Sequence, residues 1–161
     1  MPWYVLVIGA AIVWFLIMKG AEWLGRSDKP SGKTMEEKYR DVCRKAHFPP
    51  ENDVPKFVSQ YANVALCSSH IIVTYLGQGG QRVSKVFNLE DITSINTERG
   101  FEKGQGGIVW GALLIHCADG RDDRFGIPSD EIDTFMATYE VVMRDLAEML
   151  EVIEAMRKER N

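Results

Sequence analysis

Cysteine is scarce in this chain: three in 161 residues, at Cys43, Cys67 and Cys117. An odd set without close spacing excludes a disulfide scaffold and fits a reducing compartment. Histidine is equally scarce, with His47, His70 and His116. No serine stands in a G-x-S-x-G context, so the nucleophile elbow of an α/β-hydrolase is missing. A basic surplus is absent too. The formal net charge is −4, which leaves no overall electrostatic footprint for nucleic acid. Long unbroken apolar runs are almost absent, and the exception is Trp3 to Met18.

That run is the first feature with a positive content. As a helix its sixteen residues rise about 24 Å, slightly short of the hydrocarbon thickness of a bilayer. Lys19 ends it and can snorkel, and tryptophan and tyrosine rings settle at membrane interfaces. The sequence therefore predicts a single transmembrane anchor over 1–24, in contact with lipid through Trp3, Tyr4, Trp14, Lys19 and Trp23. A signal peptide would need a positive n-region and a small-residue cleavage site, and neither is clear. A buried helix would need cover on every side. Lys19 to His47 holds eight Lys and Arg against five Asp and Glu, a local +3 that leaves −7 on the rest. By the positive-inside rule this places the N-terminus outside and the body in the cytoplasm, at the cell (inner) membrane.

The stretch "SDKPSGKT", Ser27 to Thr34, comes within one residue of a nucleotide-binding P-loop. Gly32, Lys33 and Thr34 are in register, but Ser27 replaces the first glycine and Pro30 removes a backbone donor. No strand precedes it. The residues read as a linker whose Thr34 and Glu37 form a capping box for a helix running to His47. No nucleotide is expected.

Beyond "FPPENDVP" the texture changes to short β-rich runs. "VALC", "HIIVTY", "RVSKVFNL", "DITSINTER", "IVWGALLIHCA" and "DDRFGI" read as six antiparallel strands, with Asp119-Gly120 as a hairpin turn. Ser129 is the expected N-cap of a long closing helix. Within it Ile132, Phe135, Tyr139, Val142, Leu146, Met149, Ile153 and Met156 keep an unbroken a/d heptad spacing.

The cadence "VALCSSHIIVTYLGQGGQRVSKVFNLEDITSINTERG" followed by "ALLIHCADGRDDRFGIP" resembles bacterial pleckstrin-homology-like (PH-like) and GRAM-like domains over Val58 to Leu146. The resemblance implies a strongly bent antiparallel sheet or partial barrel, with the C-terminal helix plugging one end. That family usually has seven strands, and the seventh would lie in "VPKFVSQYANVALC". The expected fold class is thus α+β: a transmembrane helix over 1–24, a juxtamembrane linker and short helix over 25–56, and the PH-like body with its extended helix over 57–161.

Chemistry is thin. Cys43 with His47 and Cys67 with His70 are the spacings from which a zinc site could be assembled, but small-core cysteines and surface histidines explain them as well. Glu90, Asp91, Asp122 and Asp123 flank turns, where solvated acids sit. "GQGG" at Gly77 to Gly80 and again at Gly104 to Gly107 precedes no helix, so neither makes a dinucleotide cradle. No metal, cofactor or enzymatic activity is expected. Arg82, Lys85, Arg99 and Lys103 are too scattered for a headgroup-binding cluster, which makes lipid sensing the alternative reading. The reading that uses most residues is a membrane-anchored, cytoplasm-facing interaction module, an accessory or scaffolding subunit of a membrane complex. Its partner, another subunit or a second copy, is expected on Met149, Leu150, Ile153 and Met156, which run past the part of the helix that one small sheet can cover. The intrachain alternative is that the helix from Thr34 to Ala46 folds back over them.

Overall fold

The computed structural model describes residues 32–103 and 107–160. Helix α1, Met35–Ala46, begins at a reciprocal cap. The Glu37 amide donates to Thr34 Oγ1 at 3.3 Å, and the Thr34 amide donates to Glu37 Oε2 at 2.8 Å. Two orphan donors of the first turn are thereby satisfied. Lys33 reaches only Asp41, at 4.0 Å. The "GKT" triplet therefore leads into a capped helix.

Seven strands follow. β1 (Pro55–Val58), β2 (Val64–Cys67), β3 (His70–Leu76) and β4 (Arg82–Asn88) form one antiparallel sheet in chain order. β5 (Ile92–Lys103), β6 (Val109–Cys117) and β7 (Asp122–Pro128) form a second. The β3–β4 turn uses Gly79 and Gly80 at positive φ, and the β6–β7 turn uses Gly120 at φ 84°, a conformation that costs glycine little. The inner faces of both sheets share one core. Leu66, Ile71 and Val73 of the first meet Leu113, Ile115 and Ile127 of the second, with Phe87 edge-on to Phe125 at 5.5 Å. Alternation along β6 puts Leu113, Ile115 and Cys117 inward and His116 outward, as a period of two requires.

Helix α1 covers the outer face of the four-stranded sheet. Its Tyr39, Val42 and Cys43 are buried against Val58, Ala65, Cys67 and Ile72. That explains why β2 is buried at all four positions instead of alternating. Helix α2, Ile132–Glu159, closes the shared core with Ile132, Phe135, Val142 and Leu146. Phe135 packs edge-to-face on Phe57 at 5.6 Å.

The expected fold class is corrected on two points. The body is α+β, but its strands form two antiparallel sheets of four and three, not one bent sheet. The break falls at Leu89–Asp91, a 3-10 turn whose Leu89 is fully buried and donates its amide to the Ser69 carbonyl at 2.9 Å. This turn redirects the chain, and β4 and β5 share no ladder. The seventh strand comes from splitting "VPKFVSQYANVALC" into β1 and β2 around a turn at residues 59–63. The second point concerns the membrane. Among the described residues no helix is long and apolar enough to cross one. The only long helix there, α2, carries charge on nearly every turn. The transmembrane and single-pass element of the expected fold has no counterpart in the described structure, and the segment 1–24 with Trp3, Tyr4, Trp14, Lys19 and Trp23 lies outside it.

Ser129 is not the N-cap. Ser129–Glu131 forms a 3-10 turn, and α2 starts at Ile132 without a side-chain cap bond. The Ser129 hydroxyl is instead buried beside Gly111, without a protein partner. Gly111 explains the close approach of the helix. A Cβ there would lie 2.5 Å from Ile132 Cδ1 and 2.7 Å from the Glu98 carbonyl oxygen. Gly111→Ala should therefore overpack the junction and cost about 1–3 kcal/mol. Chemical denaturation of the variant measures this, and an unchanged midpoint would contradict the packing described.

Candidate functional site

Helix α2 divides into two parts. Through Leu146, which is 7 % exposed, its apolar residues are buried on the body. From Met149 the same spacing continues without cover among the described residues. Met149 is 52 % exposed, Leu150 43 %, Val152 56 %, Ile153 49 % and Met156 52 %. The three expected from the heptad row, Met149, Ile153 and Met156, fall in this uncovered segment with Leu150, which widens the stripe, and Val152 joins them. Val152 lies outside the a/d rows, which is why spacing alone misses it; its place beside Ile153 was the available signal. Helix α1, the intrachain alternative for covering the stripe, is committed to the outer face of the four-stranded sheet.

The position of the stripe is set by the core. Phe135 stacks on Tyr139 with centroids 6.4 Å apart, and burial alone pushes the Tyr139 hydroxyl above its usual range. Where the body ends, a pocket of about 210 Å³ opens between Lys56 and Ser68 on one side and Val142, Asp145, Leu146 and Met149 on the other. The buried half of the stripe thus passes through a recess into the exposed half. Beyond it the helix carries Glu148, Glu151 and Glu154, then Arg157 and Lys158.

The other expected sites are dispersed. Cys43 and Cys67 come together, but around the Tyr39 hydroxyl inside the α1 interface. Burial pushes the Cys43 thiol up and drives Cys67 from 9.0 to about 12, so both stay protonated where a zinc ligand must be a thiolate. His70 is tied by Nδ1 to the buried Asp53 carboxylate at 2.7 Å and packs on Phe48 at 5.3 Å. His47 is the exposed C-cap of α1. Among the described residues no cluster of three His, Cys, Asp or Glu side chains is arranged to hold a metal.

On the outer face of the three-stranded sheet, Ser94, His116 and Asp122 lie in one cross-strand row. His116 Nδ1 meets Asp122 Oδ1 at 2.7 Å, but Nε2 meets Asn96 Nδ2 at 3.1 Å. The nitrogen that would activate a serine is therefore occupied by Asn96. Further along this face a groove of about 830 Å³ runs past Trp110 and Gly126. Its Arg124 is held by Glu98 through Nε and Nη2 at 3.0 and 2.9 Å. Arg99 pairs with Asp133, and Lys85 pairs with Asp123. Three cations that could have faced a phosphate are already matched by carboxylates.

Comparisons with family models, with curated proteins and with solved structures return no match.

The thiol environment has a measurable consequence. Cys67 keeps its proton in the fold up to about 12, whereas in the unfolded chain it ionises from 9.0. Unfolding above 9 thus releases a proton, so this contribution to stability is complete below pH 9 and is lost as pH rises toward 12. The denaturation midpoint should fall between pH 9 and 11, less steeply in Cys67→Ala, and Cys67 should react with a thiol reagent only on unfolding. Rapid labelling of native Cys67 at pH 8 would contradict this.

Proposed function

We propose that this chain is a non-enzymatic, PH-like protein-interaction module that serves as an accessory or scaffolding subunit, and that its working surface is the exposed end of α2. The observation that carries the reading is the continuation of one apolar stripe past the body, as five half-exposed side chains in two turns of helix. Such a stripe costs solubility when left uncovered and is kept where a partner buries it. Its two methionines suit an adaptable contact.

The PH-like part of the reading is supported by the strand count, by the closing helix, and by the place of the family-like cadence. "LEDIT" spans the corner between the sheets, and "ADG" forms the β6–β7 turn. The non-enzymatic part is supported by the state of the chemistry-bearing groups: buried protonated thiols, a histidine bonded at both nitrogens, and cations paired with acids.

The experiment is the double variant Met149→Glu, Ile153→Glu in the full chain. Two exposed substitutions should change stability by about 0.5 kcal/mol or less each, whereas Phe135→Ala should cost about 3–5 kcal/mol. Association, read by co-purification and by mass in solution, should weaken at least tenfold while the thermal transition stays in place. Collapse of the fold in a monomeric protein would show instead that the stripe is internal core.

A further inference from the structure

The turn between β1 and β2, residues 59–63, is tied to α1, β6, β7 and the start of α2. Within it, Ser59 Oγ donates to Asn63 Oδ1 at 2.6 Å and accepts the Asn63 and Val64 amides at 3.1 Å. Lys45 of α1 donates to the Ala62 carbonyl at 3.2 Å, and Asn63 Nδ2 donates to the Gly126 carbonyl of β7 at 3.0 Å. Tyr61 lies on Trp110 of β6 with ring centroids 5.4 Å apart. Just before α2, Glu131 Oε1 accepts the Gln60 amide at 2.9 Å. These contacts hold a strained backbone. Ala62 is buried at φ 51°, in the left-handed region that residues with a Cβ rarely enter.

Glu131 is the one of these holders whose charge can change. Its other oxygen, Oε2, is buried without a protein partner. An ionised carboxylate with an oxygen so placed bears a desolvation cost that nothing offsets. A proton on Oε2 removes that cost and leaves Oε1 as a carbonyl that still accepts from Gln60. Rotation of the side chain into water removes it too, but gives up the bond to Gln60.

We propose that Glu131 is a proton-operated latch on this turn. Neutral, it keeps the Gln60 amide and the strained turn in place. Ionised, it lets the turn go and lifts Tyr61 off Trp110, which with Gly126 lines the groove of about 830 Å³.

The surroundings agree in sign. Burial pushes the Glu131 carboxyl above its usual range; the Gln60 amide pulls it back, Asp130 adds to the rise, and Lys38 of α1 opposes it. Asp133 on the same helix is paired with Arg99, and Lys45 is engaged by the Ala62 carbonyl and Asp41. The folded chain thus holds this proton more tightly than the unfolded one. The stabilisation is complete below the ordinary 4.5 and is lost as the pH rises through the higher folded value.

The test is amide exchange at Gln60 in the full chain, expressed as a protection factor so that the pH dependence of the intrinsic rate cancels. From about pH 4.5 to about pH 7.5, a span that brackets a raised carboxyl, the factor should fall several-fold, while amides of the β2–β3 ladder keep theirs. Glu131→Gln retains an acceptor for the amide and cannot ionise, so its factor should stay high and flat. Lys38→Gln removes a cation that favours the ionised form and should move the fall to higher pH. A flat profile in the wild-type chain would overturn the latch, as would the same fall in Glu131→Gln. A Gln60 amide unprotected at every pH in a folded Glu131→Gln chain would overturn it too, because the ionised carboxylate would then be what holds the turn. Should Glu131→Gln fail to fold, the wild-type profile and the direction of the Lys38→Gln shift still decide.

Discussion

Ile132 rests on Gly111 of β6 while Phe135, one turn on, is buried edge-on to Phe57 of β1. This junction joins three elements at once: one residue pins the helix to the three-stranded sheet and the next apolar one pins it to the four-stranded sheet. The sheets share no ladder, so their inner faces are held together by side-chain packing and by this helix. The direction of α2, and with it the point at which its apolar stripe leaves the body, follows from where those two side chains are fixed. Burial of large side chains supplies the energy, about 1.5–3 kcal/mol for each one fully buried. Gly111 supplies the geometry.

The two faces of the four-stranded sheet are treated differently from those of the three-stranded one. Helix α1 covers the first on its outer side, and this requires apolar residues at every position of β2. The three-stranded sheet leaves its outer side to water, and there the residues are Asn96, Glu98, His116, Asp122 and Arg124, paired with one another across strands. Those pairs are of the kind that satisfies a solvated sheet. They neutralise one another across the strands. Among the described residues the far end of α2 carries five exposed apolar side chains in two turns, whereas Met35, Val54, Leu76, Val86, Val109 and Val141 are exposed elsewhere.

Much of this was legible in the residues, and the parts that were not have physical reasons. The capping box at Thr34 and Glu37, the turn at Asp119-Gly120 and the alternation through Leu113, Ile115 and Cys117 are local signals, and each appears in the structure at the stated residues. The heptad row of α2 is also local, and it locates the exposed Met149, Ile153 and Met156, with Leu150 beside them. The division into two sheets is not a local property. It depends on how the corner at Leu89 is buried by residues far away in sequence. Ser129 shows the same limit: its context reads as an N-cap, but packing against Gly111 takes the hydroxyl away from the helix amides. The transmembrane helix read from composition is corrected by the absence of any membrane-crossing helix among the described residues. Val152 escapes a pattern based on spacing because exposure, not periodicity, makes it part of the surface.

Amide hydrogen exchange along α2 in the full chain tests the central claim most directly, because it reads the buried and exposed halves of one helix in a single experiment. In dilute protein, amides from Phe135 to Leu146 should exchange only with global unfolding, and those from Leu150 to Lys158 should exchange at least a hundredfold faster. Binding of the partner, another subunit or a second copy, should slow the second group and leave the first unchanged. Uniform protection of the whole helix in dilute monomer, or an end that stays equally fast at every concentration and with every candidate partner, would contradict the account.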